Sequence, residues 1–458
     1  MGKPRLLVVP YPAQGHVLPT MNLSRRLVNR GFKITFVITE SFHSCLKDSQ
    51  SKTGDCNGDI ELVSISDLMA PDEGRNYPAG ECVTIFNSIP TPLEKLIRAI
   101  NEREEDKISC VIADASVGSA FLVARKLGIP KVGFLPFALG TLVLSLHIPK
   151  LIQDGIIDAD GAPMGDEMIK ISSAMPEMNP AHLVFNCFTD PEERRTMFDF
   201  SLANSRSVVE QPEWLLCNSF TEIEPWAFDL LPRALPIGPL ISETDAGDSP
   251  GLFPVDDSTC SEWLDQHPDS SVVYAAFGST SVFNQAQFQE LALGLELTGR
   301  PFLWVVRPDL LGGGSGVVYP DGFEARVGRR GKLVSWAPQQ SVLRHPSVAC
   351  FVSHCGWNST MEGLSNGVPF VCLPYIADQF INRSYICDVW KVGLGVKADD
   401  NGVVTKEMVK ETVELLLSDP MIKIRAAEMK QQARRSVREG GNSFVKFNGF
   451  VDELLGRS

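Results

Sequence analysis

The sequence predicts an α/β protein in which parallel β-strands alternate with α-helices in two successive series. Short apolar runs without polar alternation recur along the chain, which is typical of buried parallel strands. Most of these runs are followed by a segment with helical spacing of apolar residues, and Gly or Pro stands near the connections. A stretch rich in Gly, Pro, Asp and Ser, residues 241–259, separates the two series and is the predicted linker.

The first series begins with a strand close to residue 1. Helices are predicted from about Leu18 to Asn29 and from Ser116 to Leu127. Residues 150–210 are polar and rich in Asp, Glu, Met and Pro, which predicts loops and short helices there. The predicted strands of this series are Leu6–Val9, Phe32–Thr39, Cys110–Ala113, Lys131–Phe134 and Trp214–Ser219.

The second series starts with the apolar run that follows Ser271. Gly367 stands where a left-handed C-terminal helix cap is expected. The alternation in both series implies parallel sheets with right-handed crossovers, and therefore two Rossmann-like domains. The predicted elements after the first strand are a helix over Asn284–Thr298, strands over Phe302–Val306, Lys332–Val334 and Val348–Ser353, and a helix over Ser359–Asn366.

Composition limits the classes of function. The chain has 458 residues, enough for two or three domains, and a formal net charge of −14. This charge argues against binding nucleic acid or an anionic membrane through a basic surface. The 11 cysteines include no C-x-x-C pair, so we expect reduced thiols in a cytoplasmic protein, without disulfides or a metal site. The most apolar stretch, Gly133–Ile148, is too short to span a bilayer, so no integral membrane segment is expected.

The most specific pattern lies between Trp336 and Gln379. This segment opens on a Trp, carries the run HCGWNS and closes on Asp378-Gln379. A predicted strand, turn and helix follow one another within it, which places the helix N-terminus at the carboxyl edge of a sheet, where backbone N–H groups favour a phosphate. The segment resembles the plant secondary-product glycosyltransferase box, the signature of the family-1 UDP-sugar-dependent glycosyltransferases.

The resemblance implies the GT-B fold, an α/β architecture of two Rossmann-like domains whose parallel sheets face each other across a cleft. It implies an acceptor-binding domain over 1–240, a linker over 241–260, a UDP-sugar-binding domain over 261–442 and a C-terminal helix over 443–458 that packs back on the first domain. The apolar residues of that helix stand at helical spacing, consistent with such packing: Phe444, Phe447, Val451, Leu454 and Leu455.

The resemblance also implies a donor site. His354, Asn358 and Ser359 would hold the diphosphate, and Trp336 would stack on the uracil. Glu362 would accept hydrogen bonds from the ribose. The full implied set is Ser279, Trp336, Ala337, Gln339, His354, Gly356, Trp357, Asn358, Ser359, Glu362, Asp378 and Gln379, the last two holding sugar hydroxyls and Gln379 favouring UDP-glucose.

Several donor residues have a structural alternative. Ser359 and Glu362 match an S-x-x-E capping box, which satisfies a helix end without any ligand. The alternatives for three others are a structural histidine at His354, a core residue at Trp357 and a plain turn residue at Ser279. Taken together, the box positions favour the donor site.

The run from Pro12 to His16 predicts a catalytic base. It follows the first strand and precedes the first predicted helix, so His16 is expected beside a positive helix end, which disfavours the imidazolium. Asp114 follows another buried strand and is expected at the same sheet edge, where a carboxylate can orient an imidazole. The resemblance assigns the same pair, His16 as base and Asp114 as its partner. The alternative is a helix cap at His16 and a strand end at Asp114.

The implied function is that of an inverting UDP-glucosyltransferase, which uses UDP-glucose as co-substrate and needs no cofactor or metal. It would form a β-glucoside on a hydroxyl of a small lipophilic plant metabolite, phenolic, flavonoid or terpenoid. Candidates for the acceptor pocket are Phe134, Phe137, His147 and Phe380, with the hydrophobic core as the alternative for each. We expect a monomer.

Two other classes of protein stay open on the sequence. One is a nucleotide-sugar sensor without turnover, against which the His16–Asp114 pair argues. The other is an NAD(P)-dependent Rossmann oxidoreductase, for which Glu40 at the end of the second strand resembles a ribose-binding acid. The G-x-G-x-x-G fingerprint of that class is absent, since the glycine-rich run at 312–316 does not stand between a strand and a helix.

Overall fold

The structure is a computed structural model that describes residues 3–40, 42–43, 58–66, 78–103, 106–241, 257–311, 317–399 and 402–456. The chain divides into two compact units: unit 1 (Met1–Pro254 with Arg435–Ser458) and unit 2 (Val255–Arg434). Most of the predicted linker and the whole glycine-rich run 312–316 lie outside the described residues. A helix begins at Asp257, inside the range predicted as the linker.

Unit 1 is built on one seven-stranded parallel sheet. Its strands are β1 (Arg5–Val9), β2 (Lys33–Thr39), β3 (Ile60–Ile65), β4 (Ile108–Asp114), β5 (Lys131–Leu135), β6 (Trp214–Cys217) and β7 (Ala234–Pro236). They follow the order β3-β2-β1-β4-β5-β6-β7. The strand order reverses between β1 and β4, and the crevice outside the carboxyl ends at such a point is where open α/β sheets bind ligands.

The described helices of unit 1 include several that the sequence analysis did not predict, those over 78–88 and 90–101 among them, and two whose position or length differs from the prediction. They are α1 (Gln14–Val28), α2 (Pro78–Ser88), α3 (Pro90–Asn101), α4 (Ser119–Lys126), α5 (Leu139–Leu146), α6 (Ile148–Gln153), α7 (Pro191–Glu210) and α8 (Pro225–Leu230), with 3₁₀ turns at Ala115–Val117 and Pro180–His182. Because α1 begins at Gln14, His16 lies in its first turn and not before it. Pro19 lies inside α1, where its missing N–H affects only the early part of the helix.

The second difference is α7, which is 20 residues long where loops and short helices were predicted. Asp190 caps this helix, because its side chain accepts hydrogen bonds from the N–H groups of Glu192 and Glu193. Pro191 follows at the first helical position, where proline is favoured. The helix buries few apolar side chains, Met197, Phe198 and Val208 among them, so its hydrophobic periodicity is weak in the sequence.

Unit 2 repeats the topology of unit 1 with six parallel strands. They are β8 (Val272–Ala276), β9 (Phe302–Val305), β10 (Gly331–Val334), β11 (Val348–Ser353), β12 (Phe370–Cys372) and β13 (Gly393–Gly395). Their order, β10-β9-β8-β11-β12-β13, reverses between β8 and β11. The helices are α9 (Asp257–Leu264), α10 (Gln285–Leu297), α11 (Phe323–Val327), α12 (Gln339–Arg344), α13 (Trp357–Asn366), α14 (Gln379–Ser384), α15 (Lys406–Ser418) and α16 (Pro420–Val437), with a 3₁₀ turn at Gly328–Arg330 and a π-helical turn at Tyr385–Val389.

The last helix, α17 (Asn442–Leu454), belongs to unit 1. Its buried Phe447, Phe450 and Val451 join the same hydrophobic cluster as the side chains of β1 and β2. Burial of large side chains of this kind stabilises a fold by about 1.5–3 kcal/mol each. Within the described ranges, no helix combines the length and the apolarity needed to cross a membrane.

Candidate active site

His16 and Asp114 meet at the strand-order reversal of unit 1. β1 and β4 pair in parallel, with Val9 opposite Ala113, so the segments that leave their carboxyl ends are neighbours. His16 Nδ1 lies 2.8 Å from Asp114 Oδ2. Asp114 is fully buried, and its Oδ1 accepts a hydrogen bond of 2.8 Å from the N–H of Ser116. Both carboxylate oxygens are therefore engaged, which fixes the carboxylate and, through it, the imidazole.

Two aromatic rings flank this pair. The centroid of the Tyr11 ring lies 5.1 Å from that of His16, and that of Phe137 lies 6.3 Å away. Tyr11 Oη lies 3.4 Å from Cys82 Sγ in α2. Burial, with Cys82 nearby, raises the pKa of Tyr11 well above its ordinary value, so the phenol stays protonated. The sequence analysis named Phe137 but missed Tyr11 and Cys82, although Tyr11 stands next to the run that contains His16.

The other acceptor candidates occupy different surroundings. Phe134 is fully buried in the hydrophobic cluster of unit 1, so the core alternative describes it and the pocket prediction does not. Its position in β5, an interior strand of the sheet, explains this burial. His147 ends α5, with Nδ1 2.7 Å from the carbonyl oxygen of Val143. Phe380 lies in α14 of unit 2 and is half-buried.

The turn after β11 carries the HCGWNS run. Cys355 adopts a left-handed conformation with φ of +66°, and Gly356 is the N-terminal cap of α13. Ser359 and Glu362 lie inside α13, so the capping-box alternative is wrong. The helix ends as predicted, because Gly367 adopts φ of +71° at its C-terminal cap.

His354 is packed between two glycines. A Cβ added to Gly278, which follows β8, or to Gly356 would overlap the His354 ring. Burial, and then the charge of Arg307, lower the pKa of His354 to about 4, against a backbone hydrogen bond to Ala276 that raises it. The ring is therefore neutral at physiological pH. No described residue provides a hydrogen-bond partner for its buried Nδ1 atom.

Arg307 is a residue that the sequence analysis missed. Its guanidinium is buried and donates to the carbonyl oxygens of Ser279 at 2.5 Å and of Ser281 at 2.6 Å. Burial lowers its pKa, and the exposed Asp309 raises it. Arg307 thereby holds the loop that follows β8, which includes the predicted donor residue Ser279. The signal in the sequence was a charged residue directly after the apolar run of β9.

Three of the predicted donor residues form one hydrogen-bonded group. Gln339 Nε2 donates to Ser359 Oγ at 2.8 Å and to Glu362 Oε2 at 2.6 Å. Tyr274 Oη donates to Gln339 Oε1 at 3.2 Å, and Gln340 Nε2 donates to Glu362 Oε1 at 3.2 Å. These contacts fix the orientation of the Glu362 carboxylate within the group.

The remaining donor candidates lie on the same segment. Trp336 and Asn358 are half-buried, whereas Ala337 is buried. Trp357 is only 3% exposed and packs against Trp390, with ring centroids 6.4 Å apart. This burial fits the alternative that Trp357 is a core residue.

Asp378 and Gln379 lie at the start of α14. Gln379 is buried, and its Oε1 accepts hydrogen bonds from the N–H groups of Tyr375 at 2.7 Å and Ile376 at 3.0 Å. Its amide is therefore oriented by the backbone, with the nitrogen directed away from these donors. In the part of the chain that the structure describes, no three His, Cys, Asp or Glu side chains are grouped as metal ligands.

Known glycosyltransferases resemble this chain in sequence and in fold. Residues 93–431 match the family model described as UDP-glucoronosyl and UDP-glucosyl transferase. The chain is 43% identical to UDP-glycosyltransferase 83A1 of Arabidopsis thaliana over 465 residues, covering 99% of this chain and 97% of that protein. The crystal structure of a UDP-glucose: anthocyanidin 3-O-glucosyltransferase in complex with UDP matches with a TM-score of 0.81 and 29% identity, over 100% of both chains. UGT2 of Phytolacca americana, complexed with UDP-2fluoro-glucose and pterostilbene, matches with a TM-score of 0.79 and 26% identity, over 99% of both chains.

The chain therefore belongs to the plant family-1 UDP-glycosyltransferases. Its α/β fold is of the GT-B class, as the sequence predicted. It is an enzyme that acts on plant metabolites with a UDP-sugar. The two alternatives, a silent nucleotide-sugar sensor and an NAD(P)-dependent oxidoreductase, are wrong.

Proposed function

We propose that this enzyme transfers glucose from UDP-glucose to a hydroxyl of a small lipophilic plant metabolite, phenolic, flavonoid or terpenoid, with inversion at the anomeric carbon. His16 is the general base and Asp114 orients it. The observation that carries the proposal is the 2.8 Å contact between His16 Nδ1 and the buried Asp114 carboxylate. A base held in this way presents Nε2 to the substrate and forms a cation that the carboxylate stabilises.

The reaction is a single in-line displacement. His16 Nε2 removes the proton from the acceptor hydroxyl as its oxygen forms a bond to the anomeric carbon. The bond from that carbon to the diphosphate oxygen breaks, and its electron pair leaves with UDP. An α-linked donor thus gives a β-glucoside. General-base catalysis of this kind contributes about 10²–10⁴-fold to the rate.

The donor is assigned to the carboxyl edge of unit 2. His354 and the N-terminus of α13 bind the diphosphate and stabilise the charge that grows on it. Trp336 stacks on the uracil, Glu362 binds the ribose, and Asp378 with Gln379 binds the sugar. The fixed amide of Gln379, which its two backbone contacts orient, supports recognition of glucose.

Products formed by the purified enzyme test this proposal. UDP-glucose is incubated with a mixed phenolic, flavonoid and terpenoid library, and products are detected by mass spectrometry for wild type and His16→Ala. The expected result is an acceptor that gains a hexose with wild type, a β-configured product by NMR, and a rate lower by about 10²–10⁴-fold in the variant. Undiminished turnover in His16→Ala would exclude it as the base, and an α-configured product would exclude inversion.

Sugar choice is tested separately, by competition between UDP-glucose and UDP-galactose at equal concentration. Preferential glucosylation is expected, and equal incorporation would remove the preference assigned to Gln379. A cytoplasmic location, a monomeric state and the absence of a metal requirement stay predictions of the sequence. Activity that persists in a chelator would support the last of these.

A further inference from the structure

We propose that Asn382 is a positioning residue that links two parts of the proposed donor site. One is the turn over residues 354–358, called here the diphosphate turn, and the other is the Asp378 carboxylate assigned to the sugar. This inference rests on the proposed donor site. Asn382 lies in α14, one helical turn after Asp378, and is fully buried. Its Nδ2 donates to the carbonyl oxygen of Cys355 at 2.9 Å and to Asp378 Oδ2 at 3.0 Å. One amide group therefore contacts both parts of the site.

The chemistry of the neighbours fixes the direction of this amide. A carbonyl oxygen and a carboxylate both accept hydrogen bonds only, so the NH₂ group must face them. The opposite atom, Oδ1, is buried, and no described residue donates to it. Leaving a buried acceptor unpaired is unfavourable, so packing alone gives no reason for an amide here. The two acceptors give that reason.

Both segments that Asn382 joins contain a strained residue. Cys355 has φ of +66° and Ala377, directly before Asp378, has φ of +60°. A left-handed conformation is unfavourable for a non-glycine residue, so each turn needs contacts that hold it. Ser353 Oγ and Thr360 Oγ1 also bond to the backbone of Cys355. The contact between Asn382 and Asp378 Oδ2 connects this carboxylate to the diphosphate turn.

This arrangement makes a specific prediction about ligands. The diphosphate turn keeps two other side-chain contacts when Asn382 is replaced, whereas the carboxylate of Asp378 loses the hydrogen bond that connects it to this turn. Binding of UDP should therefore change little, and binding of a UDP-sugar should weaken strongly. A residue that acts only on folding would weaken both ligands alike.

Calorimetry with UDP and with UDP-2-fluoroglucose separates these cases. In Asn382→Asp and Asn382→Ser, the Kd for UDP-2-fluoroglucose should rise about tenfold to a hundredfold, as expected for loss of a hydrogen bond to a charged group, and the Kd for UDP less than about threefold. Ser384→Ala is the matched control. Ser384 is also buried in α14, and among the described residues its hydroxyl bonds to the carbonyl oxygen of Phe380 within the helix, so both affinities should be retained.

Acidification adds a second readout. In Asn382→Asp two carboxyl groups share one site, so one of them takes up a proton with a raised pKa and can donate a hydrogen bond again. Affinity for UDP-2-fluoroglucose should partly recover between pH 8 and pH 5.5 in this variant and not in Asn382→Ser. Equal weakening of both ligands, or no weakening, would overturn the role of Asn382 alone. Failure of the wild type to bind UDP-2-fluoroglucose would overturn the proposed donor site as well.

Discussion

In unit 1 the histidine beyond β1 lies against a buried carboxylate, whereas in unit 2 the histidine beyond β11 lies near a buried guanidinium. Both stand where the strand order of a parallel sheet reverses. The carboxylate of Asp114 orients the His16 ring through a contact of 2.8 Å, whereas burial and the charge of Arg307 disfavour a proton on His354. The same topology therefore places two imidazoles in opposite electrostatic surroundings, which suits the roles proposed for them: a base at His16 and a neutral ring beside an anionic ligand at His354.

Asp114→Asn should have the largest effect, because it removes the carboxylate that distinguishes the surroundings of His16 from those of His354. Asn Oδ1 can keep the bond from the N–H of Ser116, so its NH₂ group faces His16 Nδ1 and forces the proton of the imidazole onto Nε2. That nitrogen then has no lone pair for the acceptor, and turnover should fall about 10²–10⁴-fold. Steady-state kinetics measures the loss, and the affinity for UDP-2-fluoroglucose should stay unchanged. A variant that retains turnover would refute the orienting role.

The lowered pKa of His354 predicts that the stability of unit 2 depends on pH. The pKa of His354 is lowered from 6.5 to about 4 in the folded state, so the unfolded state binds more protons between these values. The free energy of unfolding linked to His354 is therefore at its full value above pH 6.5. It decreases as the pH falls towards 4, by about 3 kcal/mol at most. Urea unfolding at pH 7 and pH 4.5 measures it. His354→Gln should show a smaller loss on acidification, and an equal loss would contradict the assignment.

Replacement of Arg307 tests whether its charge and its hydrogen bonds act on His354 and on UDP binding. Arg307→Met removes both hydrogen bonds to the loop after β8 and the charge near His354, so UDP should bind about tenfold to a hundredfold more weakly. The imidazole resonances of His354 should titrate at higher pH. Arg307→Lys keeps the charge but not the two-pronged contact, and it should restore the low pKa with only part of the affinity. An unchanged titration in Arg307→Met would show that its charge does not act on His354.

Gly278→Ala tests the packing around His354. The added Cβ would overlap the imidazole, and φ of +67° adds backbone strain. Gly128→Ala is a matched control, since Gly128 has φ of +68° with no atom within 4 Å of the added Cβ. The difference in unfolding free energy between the two variants isolates the overlap, and we expect about 1 kcal/mol or more. Equal destabilisation would mean that the ring moves aside without cost.

Nine of the thirteen described strands could be predicted, because buried parallel strands are continuous apolar runs. The sequence analysis missed β3, which is largely exposed, and the three-residue strands β7, β12 and β13. Prediction was poorer where the pattern is weak, as in α7, which buries few apolar residues along its 20 positions. In the candidate site, the residues inside the glycosyltransferase box could be named from the resemblance to the family. Tyr11, Arg307 and Asn382 could not, because nothing in their local sequence shows what they touch.

The α/β class, the family and the segment assigned to the donor follow from the amino-acid sequence, since these depend on local periodicity and on a pattern with fixed spacing. The contacts that hold the loops of the candidate site in place are visible only in the folded chain. Asn382 contacts Cys355 across 27 positions, Arg307 contacts Ser279 across 28, and Tyr11 contacts Cys82 across 71. Such contacts exist because parallel strands bring distant loops to one sheet edge. The local sequence around either residue does not indicate its partner.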